Sequence, residues 1–139
     1  MPQSDGLHLG LVGVGRIGLF HARTLLGLDG VEGLTIADAD SARAKQVAAD
    51  LGTHAAKTPD ALVEAGVDAL VIATSTSGHA PLLALAARSG LPAFCEKPVS
   101  LDLDFDKAFA ENRVGGALIV VDAQSNRTSG ALLVERVKL

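Results

Sequence analysis

Short apolar runs alternate along the chain with segments in which apolar residues recur every three or four positions. Such runs are typical of buried strands, whereas the wider spacing is typical of helices that pack one face on a core. The runs predict strands at residues 7–12, 34–37, 54–56, 69–73, 93–95 and 118–121. The spaced segments predict helices that begin near Arg16, Ala42, Pro59, Ala80 and Asp102. This alternation predicts an α/β fold with a doubly wound, mostly parallel sheet.

Several of the predicted helix boundaries carry capping residues. Thr58 precedes Pro59, so a hydroxyl that can cap the helix stands before a proline that fits its first turn. Asp40 and Ser41 can cap the helix that follows them. Three glycines fall where helices should end, namely Gly52, Gly66 and Gly90.

The first predicted helix is expected to bury an apolar stripe, on which His21 would be a packed histidine. The members of this stripe are Ile17, Phe20, His21, Thr24, Leu25 and Leu28. The pattern is less regular towards the end of the chain. There, residues 114–123 predict a strand, 125–130 predict a loop, and 131–139 fit either a strand or a helix.

Composition narrows the class of protein. The 139 residues suffice for one domain with a core but not for two ordinary domains. A net charge of -4 and only four aromatic residues, all Phe, argue against a nucleic-acid partner. No apolar run has membrane-spanning length and residues 1–5 carry no basic segment, so we expect a cytoplasmic protein. The single cysteine, Cys95, excludes an internal disulfide and is expected to be a buried, inert thiol.

A glycine-rich motif, GVGRIG, follows the first predicted strand and begins the first helix. Gly13 would allow the tight turn, Gly15 would let the backbone approach a pyrophosphate, and Gly18 would let the helix pack closely on the strand. The phosphates would bind the free amides at the start of the helix, where Arg16 and Ile17 stand. The motif therefore predicts a dinucleotide-binding site on a Rossmann fold.

Asp38 ends the second predicted strand, about twenty residues after the last glycine of the motif. A carboxylate there can accept hydrogen bonds from the 2′- and 3′-hydroxyls of an adenine ribose, and it would repel the 2′-phosphate of NADP. NAD is therefore the expected cofactor, although Arg16 and Arg43 stand near enough in the sequence to soften the repulsion. The alternative is that Asp38 is only a turn residue or a helix cap.

Two polar segments, TSTSGH and EKP, follow the fourth and fifth predicted strands. Because the carboxyl ends of parallel strands form the ligand-binding edge of an open α/β sheet, both segments should meet the glycine motif in one crevice. Their candidate cofactor-binding residues are Thr74, Ser75, Thr76, His79, Glu96, Lys97 and Pro98. We expect His79 to have a positioning role. The first segment could also cap the next helix through Ser77.

Together, GVGRIG, ATSTSGHA and CEKPVSLDL resemble the glucose-fructose oxidoreductase / inositol dehydrogenase / MocA family, over residues 7 to about 104. The resemblance implies hydride transfer between NAD and a secondary alcohol of a cyclic polyol or sugar, as in a myo-inositol 2-dehydrogenase. It makes Lys97 the candidate catalytic residue, near the nicotinamide and the substrate oxygen. An ammonium group there could hydrogen-bond the oxygen whose charge changes in the reaction. The alternative is a solvated lysine beside Glu96.

The family also has a substrate domain that usually supplies an Asp and a His, and this chain has no histidine after His79. We therefore expect that second α/β domain to be missing or vestigial, with residues 1–124 as the NAD(P)-binding domain and 125–139 as a tail or remnant. The chain alone should bind the cofactor without turnover, whether it is a fragment, lacks internal stretches or is naturally short. The full-length protein is expected to be a homo-oligomer that uses no metal.

A second hypothesis is a non-catalytic dinucleotide-binding sensor or scaffold. The missing histidine favours it, whereas the EKP motif disfavours it because a sensor needs no lysine near the nicotinamide. A flavin or an S-adenosyl donor in the same crevice is a third alternative. The absence of Tyr excludes mechanisms that pair a tyrosine general acid with a lysine.

Overall fold

A computed structural model describes residues 6–96 and the backbone of residues 117–121 and 128–133. Its strands are β1 (Leu7–Val12), β2 (Val31–Ala37), β3 (His54–Ala55), β4 (Ala69–Ile72), β5 (Ala93–Glu96), β6 (Ala117–Val121) and β7 (Thr128–Leu133). Its helices are α1 (Arg16–Leu26), α2 (Ser41–Leu51), α3 (Pro59–Glu64) and α4 (His79–Arg88), and a 3-10 turn covers Thr76–Gly78. The helix predicted near Asp102 lies outside the described residues.

The strands form one sheet in the order β3-β2-β1-β4-β5-β6-β7. Neighbouring strands from β3 to β6 run parallel, and β7 pairs antiparallel with β6. The chain moves outward from β1 to β3 and then returns to place β4 on the other side of β1. This is the predicted doubly wound, mostly parallel sheet, so the predicted fold class is confirmed.

Helices cover both faces of this sheet. On one face, side chains of β1 and β2 pack with α1 and α2, in a cluster that includes Leu11, Ile36 and Ala22. On the other face, β4 packs with α3 and α4, and that cluster includes Leu62 and Leu83. Strand segments buried on both faces have mostly apolar sequences, which explains why the buried ends of β1, β2 and β4 could be recognised from the sequence.

The predicted caps are largely confirmed. The Asp40 carboxylate accepts hydrogen bonds from the backbone amides of Ala42 and Arg43, each at 3.1 Å, and so caps α2. Ser41 is the first residue of α2 rather than a cap. The Thr58 hydroxyl accepts a hydrogen bond from the Ala61 amide and caps α3. The three helix-ending glycines all adopt positive φ angles, as glycine readily does: Gly52, Gly66 and Gly90.

The predicted stripe on α1 is partly wrong. Phe20 is 51% exposed and Leu28 is 50% exposed, whereas the buried residues of α1 are Gly18 and Ala22. Leu25 packs, as predicted, against the cluster on this face of the sheet, which contains Leu11 and Ile36. The helix therefore turns a different face to the sheet than the stripe predicts. The cause is steric, because a Cβ on Gly18 would overlap the carbonyl oxygen of Gly13. The close approach of small residues therefore decides which face of α1 meets the sheet.

Two strands also differ from their predictions. The second strand begins at Val31, three residues before the predicted start, because Val31 and Gly33 pair with β1 although Glu32 and Gly33 interrupt the apolar run. The predicted loop over 125–130 is wrong at 128–130, where β7 begins. Pairing with a neighbouring strand gives this polar segment its strand structure, and local composition does not carry that information. The domain boundary at residue 124 stays a prediction.

Candidate functional site

The carboxyl ends of β1, β2, β4 and β5 lie at one level of the sheet. Val12 is in register with both Ala37 of β2 and Ile72 of β4, and Ile72 is in register with Cys95 of β5. Segments that follow these strands therefore meet at a single edge, where the chain also reverses its winding direction. Such a switch point is where ligands bind in open α/β sheets.

A cavity of about 280 Å³ opens at this edge, between the ends of β1, β2 and β4. Its lining residues include Gly13, Gly15, Asp38, Arg43, Thr74 and Ser75. The structure therefore brings together three of the segments that were predicted to meet, whereas Glu96, at the end of β5, does not line this cavity. Their roles in binding a cofactor stay a prediction.

The three glycines of the GVGRIG motif meet different surroundings. Gly13 has a φ angle of +96°, and a Cβ there would lie 2.6 Å from the Ala73 carbonyl group. A Cβ on Gly18 would overlap the Gly13 carbonyl oxygen. By contrast, a Cβ on Gly15 would meet nothing within 4 Å. The fold itself requires Gly13 and Gly18, whereas the space at Gly15 remains open for a ligand that approaches the backbone closely.

The start of α1 also faces this space. Gly15 is the N-cap of α1 and offers no side chain, and the first turn, which begins with Arg16 and Ile17, contains no acidic residue. The first amides of a helix lack partners within the helix, and together with the helix dipole they favour a bound anion. The loop and the helix terminus can therefore hold the phosphates of a dinucleotide.

Asp38 binds the backbone of two segments. One carboxylate oxygen accepts the Val14 amide and the other accepts the Asp40 amide, each at 2.8 Å. The Arg43 guanidinium stands 3.9 Å from this carboxylate, whose side chain is only 10% exposed. The bond to Asp40 is that of a turn residue, which was the alternative role of Asp38. The bond to Val14 joins the end of β2 to the glycine motif. Each carboxylate oxygen has a second lone pair that can accept a ribose hydroxyl.

The segment after β4 is held from within the fold. His79 is 1% exposed, and its Nε2 forms a 3.0 Å hydrogen bond with the Thr74 carbonyl oxygen. This bond ties the first residue of α4 to the loop that lines the cavity, which agrees with a positioning role. Thr76 begins the 3-10 turn, and Ser77 does not cap α4, because Gly78 is the N-cap residue. The alternative in which Ser77 caps the next helix is therefore wrong.

The end of β5 holds a buried acidic residue, Glu96, which is 4% exposed. Its Oε1 atom is in hydrogen-bond contact with Nε2 of His21 on α1. The rings of Phe20 and Phe94 lie edge-on to the His21 ring, with centroids 6.0 and 5.6 Å away. The other carboxylate oxygen of Glu96, Oε2, is buried and has no hydrogen-bond partner among the described residues. Sequence reasoning predicted that His21 is packed but missed its partner, because the two residues are 75 positions apart.

Lys97 and Pro98 lie outside the described residues. Cys95 is fully buried with a free thiol, in the cluster on the opposite face from α1. Burial, with a smaller contribution from the Glu96 charge, raises the pKa of this thiol to about 12. The thiolate is the reactive form of cysteine, so this agrees with the predicted inert thiol.

Within the described residues, no cluster of three or more His, Cys, Asp or Glu side chains could hold a metal ion. No helix in the same part of the chain is long and apolar enough to cross a membrane.

Residues 7–112 match the family described as "Oxidoreductase family, NAD-binding Rossmann fold". The chain belongs to this family. It is 40% identical over 99 residues to the inositol 2-dehydrogenase of Rhizobium meliloti (strain 1021), an alignment that covers 70% of this chain and 30% of that protein.

Solved structures show the same fold. The myo-inositol dehydrogenase of Corynebacterium glutamicum ATCC 13032 is similar with a TM-score of 0.62 and 38% identity, over 70% of this chain and 29% of that one. The structure of GenD2 from gentamicin A biosynthesis, in complex with NAD, has a TM-score of 0.64 and 28% identity, over 70% and 28% of the two chains. This chain thus spans about 30% of the length of the curated relatives it matches, namely their NAD-binding part.

Proposed function

We propose that this chain is the cofactor-binding part of a NAD-dependent dehydrogenase that acts on a secondary alcohol of a cyclic polyol or sugar, such as myo-inositol. The observation that carries the proposal is the open space at Gly15, in the cavity that Asp38 also lines. The fold itself does not require a glycine at this position, whereas a bound pyrophosphate does. The relatives named above include two inositol dehydrogenases, which supports this substrate class.

In this proposal, each part of the crevice has a defined task. The amides at Arg16 and Ile17 hold the pyrophosphate, and the Asp38 carboxylate accepts hydrogen bonds from the adenine ribose. The segment after the carboxyl end of β4, which lies next to β5, contacts the nicotinamide half of the cofactor through Thr74, Ser75 and Thr76. When bound, NAD supplies the hydride acceptor.

Glu96, Lys97 and Pro98 complete the proposed site at the end of β5. The Lys97 ammonium would hydrogen-bond the alcohol oxygen, on which negative charge develops as the C–H bond breaks. The chain contains no histidine after His79 that could serve as the base, so we expect the purified 139-residue protein to bind NAD without oxidising inositol. Production of NADH from NAD and inositol would contradict this expectation.

Titration with NADH and then with NADPH tests the cofactor assignment. The chain has no Trp or Tyr, so nicotinamide fluorescence reports binding with little interference. We expect tighter binding of NADH, because Asp38 would repel the 2′-phosphate of NADPH. Asp38→Ala should remove this preference. If the variant keeps the same affinity ratio, Asp38 does not have the proposed role.

Asp40→Ala is the matched control. Asp40 is also about 3.9 Å from Arg43, but its carboxylate is half-exposed and caps α2. Its removal changes the net charge as Asp38→Ala does, and should leave the NADH preference in place. If both variants lose the preference equally, general charge rather than the Asp38 site discriminates between the two cofactors.

The second candidate function is a non-catalytic dinucleotide-responsive sensor or scaffold, and the lack of a histidine after His79 favours it. In that case a partner would bind the chain with an affinity that changes with NAD occupancy. For the whole protein, we further propose a cytoplasmic location and a homo-oligomeric state. The location follows from the sequence expectations, and the oligomeric state can be measured by sedimentation.

A further inference from the structure

The contact between His21 and Glu96 is not explained by stability alone. A buried carboxylate loses its hydration, and it repays that cost only when both oxygens are well paired. Here Oε1 contacts His21, whereas Oε2 is buried without a hydrogen-bond partner among the described residues. An apolar residue at the end of β5 would avoid this cost, so the carboxylate points to a functional requirement at this place.

The position of Glu96 relates it to the proposed site. In the sheet, β1 and β4 lie between β2 and β5. Asp38, which follows β2, and Glu96, the last residue of β5, therefore stand at the ends of strands that are three spacings apart, or about 14 Å. The cavity at Asp38 measures about 280 Å³, which is at the small end of ligand sites, and its described lining comes from the ends of β1, β2 and β4 and does not include Glu96. A dinucleotide whose adenine half binds near Asp38 would extend towards β5.

We propose that His21 is a positioning residue for the nicotinamide half of the dinucleotide, because it fixes Glu96 and thereby holds the end of β5 where that half binds. This inference rests on the proposed function. His21 is on α1, the helix whose first turn faces the phosphates. One helix thus contacts the cofactor at its start and the end of β5 through a side chain in its second turn.

The His21 ring is itself held in place. It lies edge-on to Phe94 of β5 and to Phe20 of α1, and its side chain is 12% exposed. Aromatic contacts and a hydrogen bond together restrict the imidazole to one orientation. This arrangement transmits the position of α1 to β5, and it does not require His21 to touch the cofactor.

The test compares two ligands that share the adenine half. ADP-ribose contains the adenosine and pyrophosphate of NADH but lacks the nicotinamide ring. Calorimetric titration of the full chain measures the dissociation constants of both ligands. For His21→Leu, we expect NADH binding to weaken about tenfold and ADP-ribose binding to change less than about twofold. His21→Gln retains a side-chain N–H that can reach Glu96, and should restore most of the NADH affinity.

His8→Leu is the matched control. His8 also donates or accepts one side-chain hydrogen bond, at 2.7 Å to Thr35, but it lies near the amino end of β1, at the opposite edge of the sheet. This variant should bind both ligands like the unchanged protein. Thermal unfolding of all variants, measured in parallel, establishes that each of them is folded.

The outcomes separate the two proposals. If His21→Leu weakens both ligands equally, or neither of them, the positioning role is overturned while the cofactor site stands. It is also overturned if His21→Gln behaves like His21→Leu. If the unchanged chain binds neither NADH nor ADP-ribose, the proposed function itself fails. A selective loss of NADH affinity, rescued by glutamine, supports the role of His21.

Discussion

Asp38, after the end of β2, and Glu96, at the end of β5, are both largely buried acidic residues. Their carboxylate oxygens differ in their hydrogen-bond partners. Both oxygens of Asp38 accept backbone amides, whereas only one oxygen of Glu96 has a partner among the described residues. The adenine end of the proposed site is therefore organised by the backbone of the chain itself. The β5 end depends on one side chain from α1, so we expect the two ends to respond differently to the same chemical change.

The largest expected effect comes from Gly18 in the first turn of α1. In Gly18→Ala, the new methyl group would overlap the Gly13 carbonyl oxygen, so α1 must move away from β1. We expect a loss of about 3 kcal/mol in the free energy of unfolding, as for strong overpacking. Urea denaturation measures this loss. NADH binding should be lost as well, because α1 supplies both the amides that face the phosphates and the His21 side chain at the β5 end.

Gly15→Ala is the control for this substitution, because a Cβ there meets no atom within 4 Å. It should change the stability by less than about 1 kcal/mol and still weaken NADH binding. Equal losses of stability in the two variants would contradict the separate roles of these glycines.

Asp38→Asn tests the fully paired end. An amide has one oxygen and one NH₂ group, so one of the two backbone amides at Val14 and Asp40 would lose its acceptor and face a donor. The oxygen can turn to the buried Val14 amide, but the hydrogen bond from the Asp40 amide to a charged oxygen is then lost, which costs about 2 kcal/mol. We expect that loss in urea denaturation. A change below about 0.5 kcal/mol would show that these hydrogen bonds do not organise the adenine end.

Glu96→Gln makes the same chemical change at the other end. The glutamine oxygen can still accept a hydrogen bond from His21, and a neutral amide costs less to bury than a carboxylate. The loss of unfolding free energy should therefore stay below about 1 kcal/mol. A loss as large as that of Asp38→Asn would mean that the carboxylates at the two ends are equally well paired.

The sequence predicted the end near β2 better than the end near β5. Asp38 and the glycines lie within one strand-helix-strand unit, and their spacing alone identifies the motif. The level of the strand ends then brings Thr74 and Ser75 to the same cavity. These inferences need only local patterns and the rule for parallel sheets.

The contact between His21 and Glu96 could not be predicted in this way, because no spacing rule links a helix residue to a strand end 75 positions away. The exposure of Phe20 was missed for a related reason. Residue type suggested that the large ring would be buried, whereas the steric requirement at Gly18 turned the small side of α1 to the sheet. Tertiary packing decided both features.

The smallest expected effect concerns Cys95, which precedes Glu96 on β5. The folded pKa of about 12 lies above the ordinary value of 9.0, so the neutral thiol contributes stability that is complete below pH 9 and is lost as pH rises towards 12. We compare the free energy of unfolding of the chain with that of Cys95→Ala. The difference should not change up to pH 8, and the chain should have lost about 0.8 kcal/mol relative to the variant by pH 9.5. Urea denaturation at these pH values measures the difference. A constant difference would mean that the thiol ionises as readily in the folded chain, and that the end of β5 is open to water rather than buried.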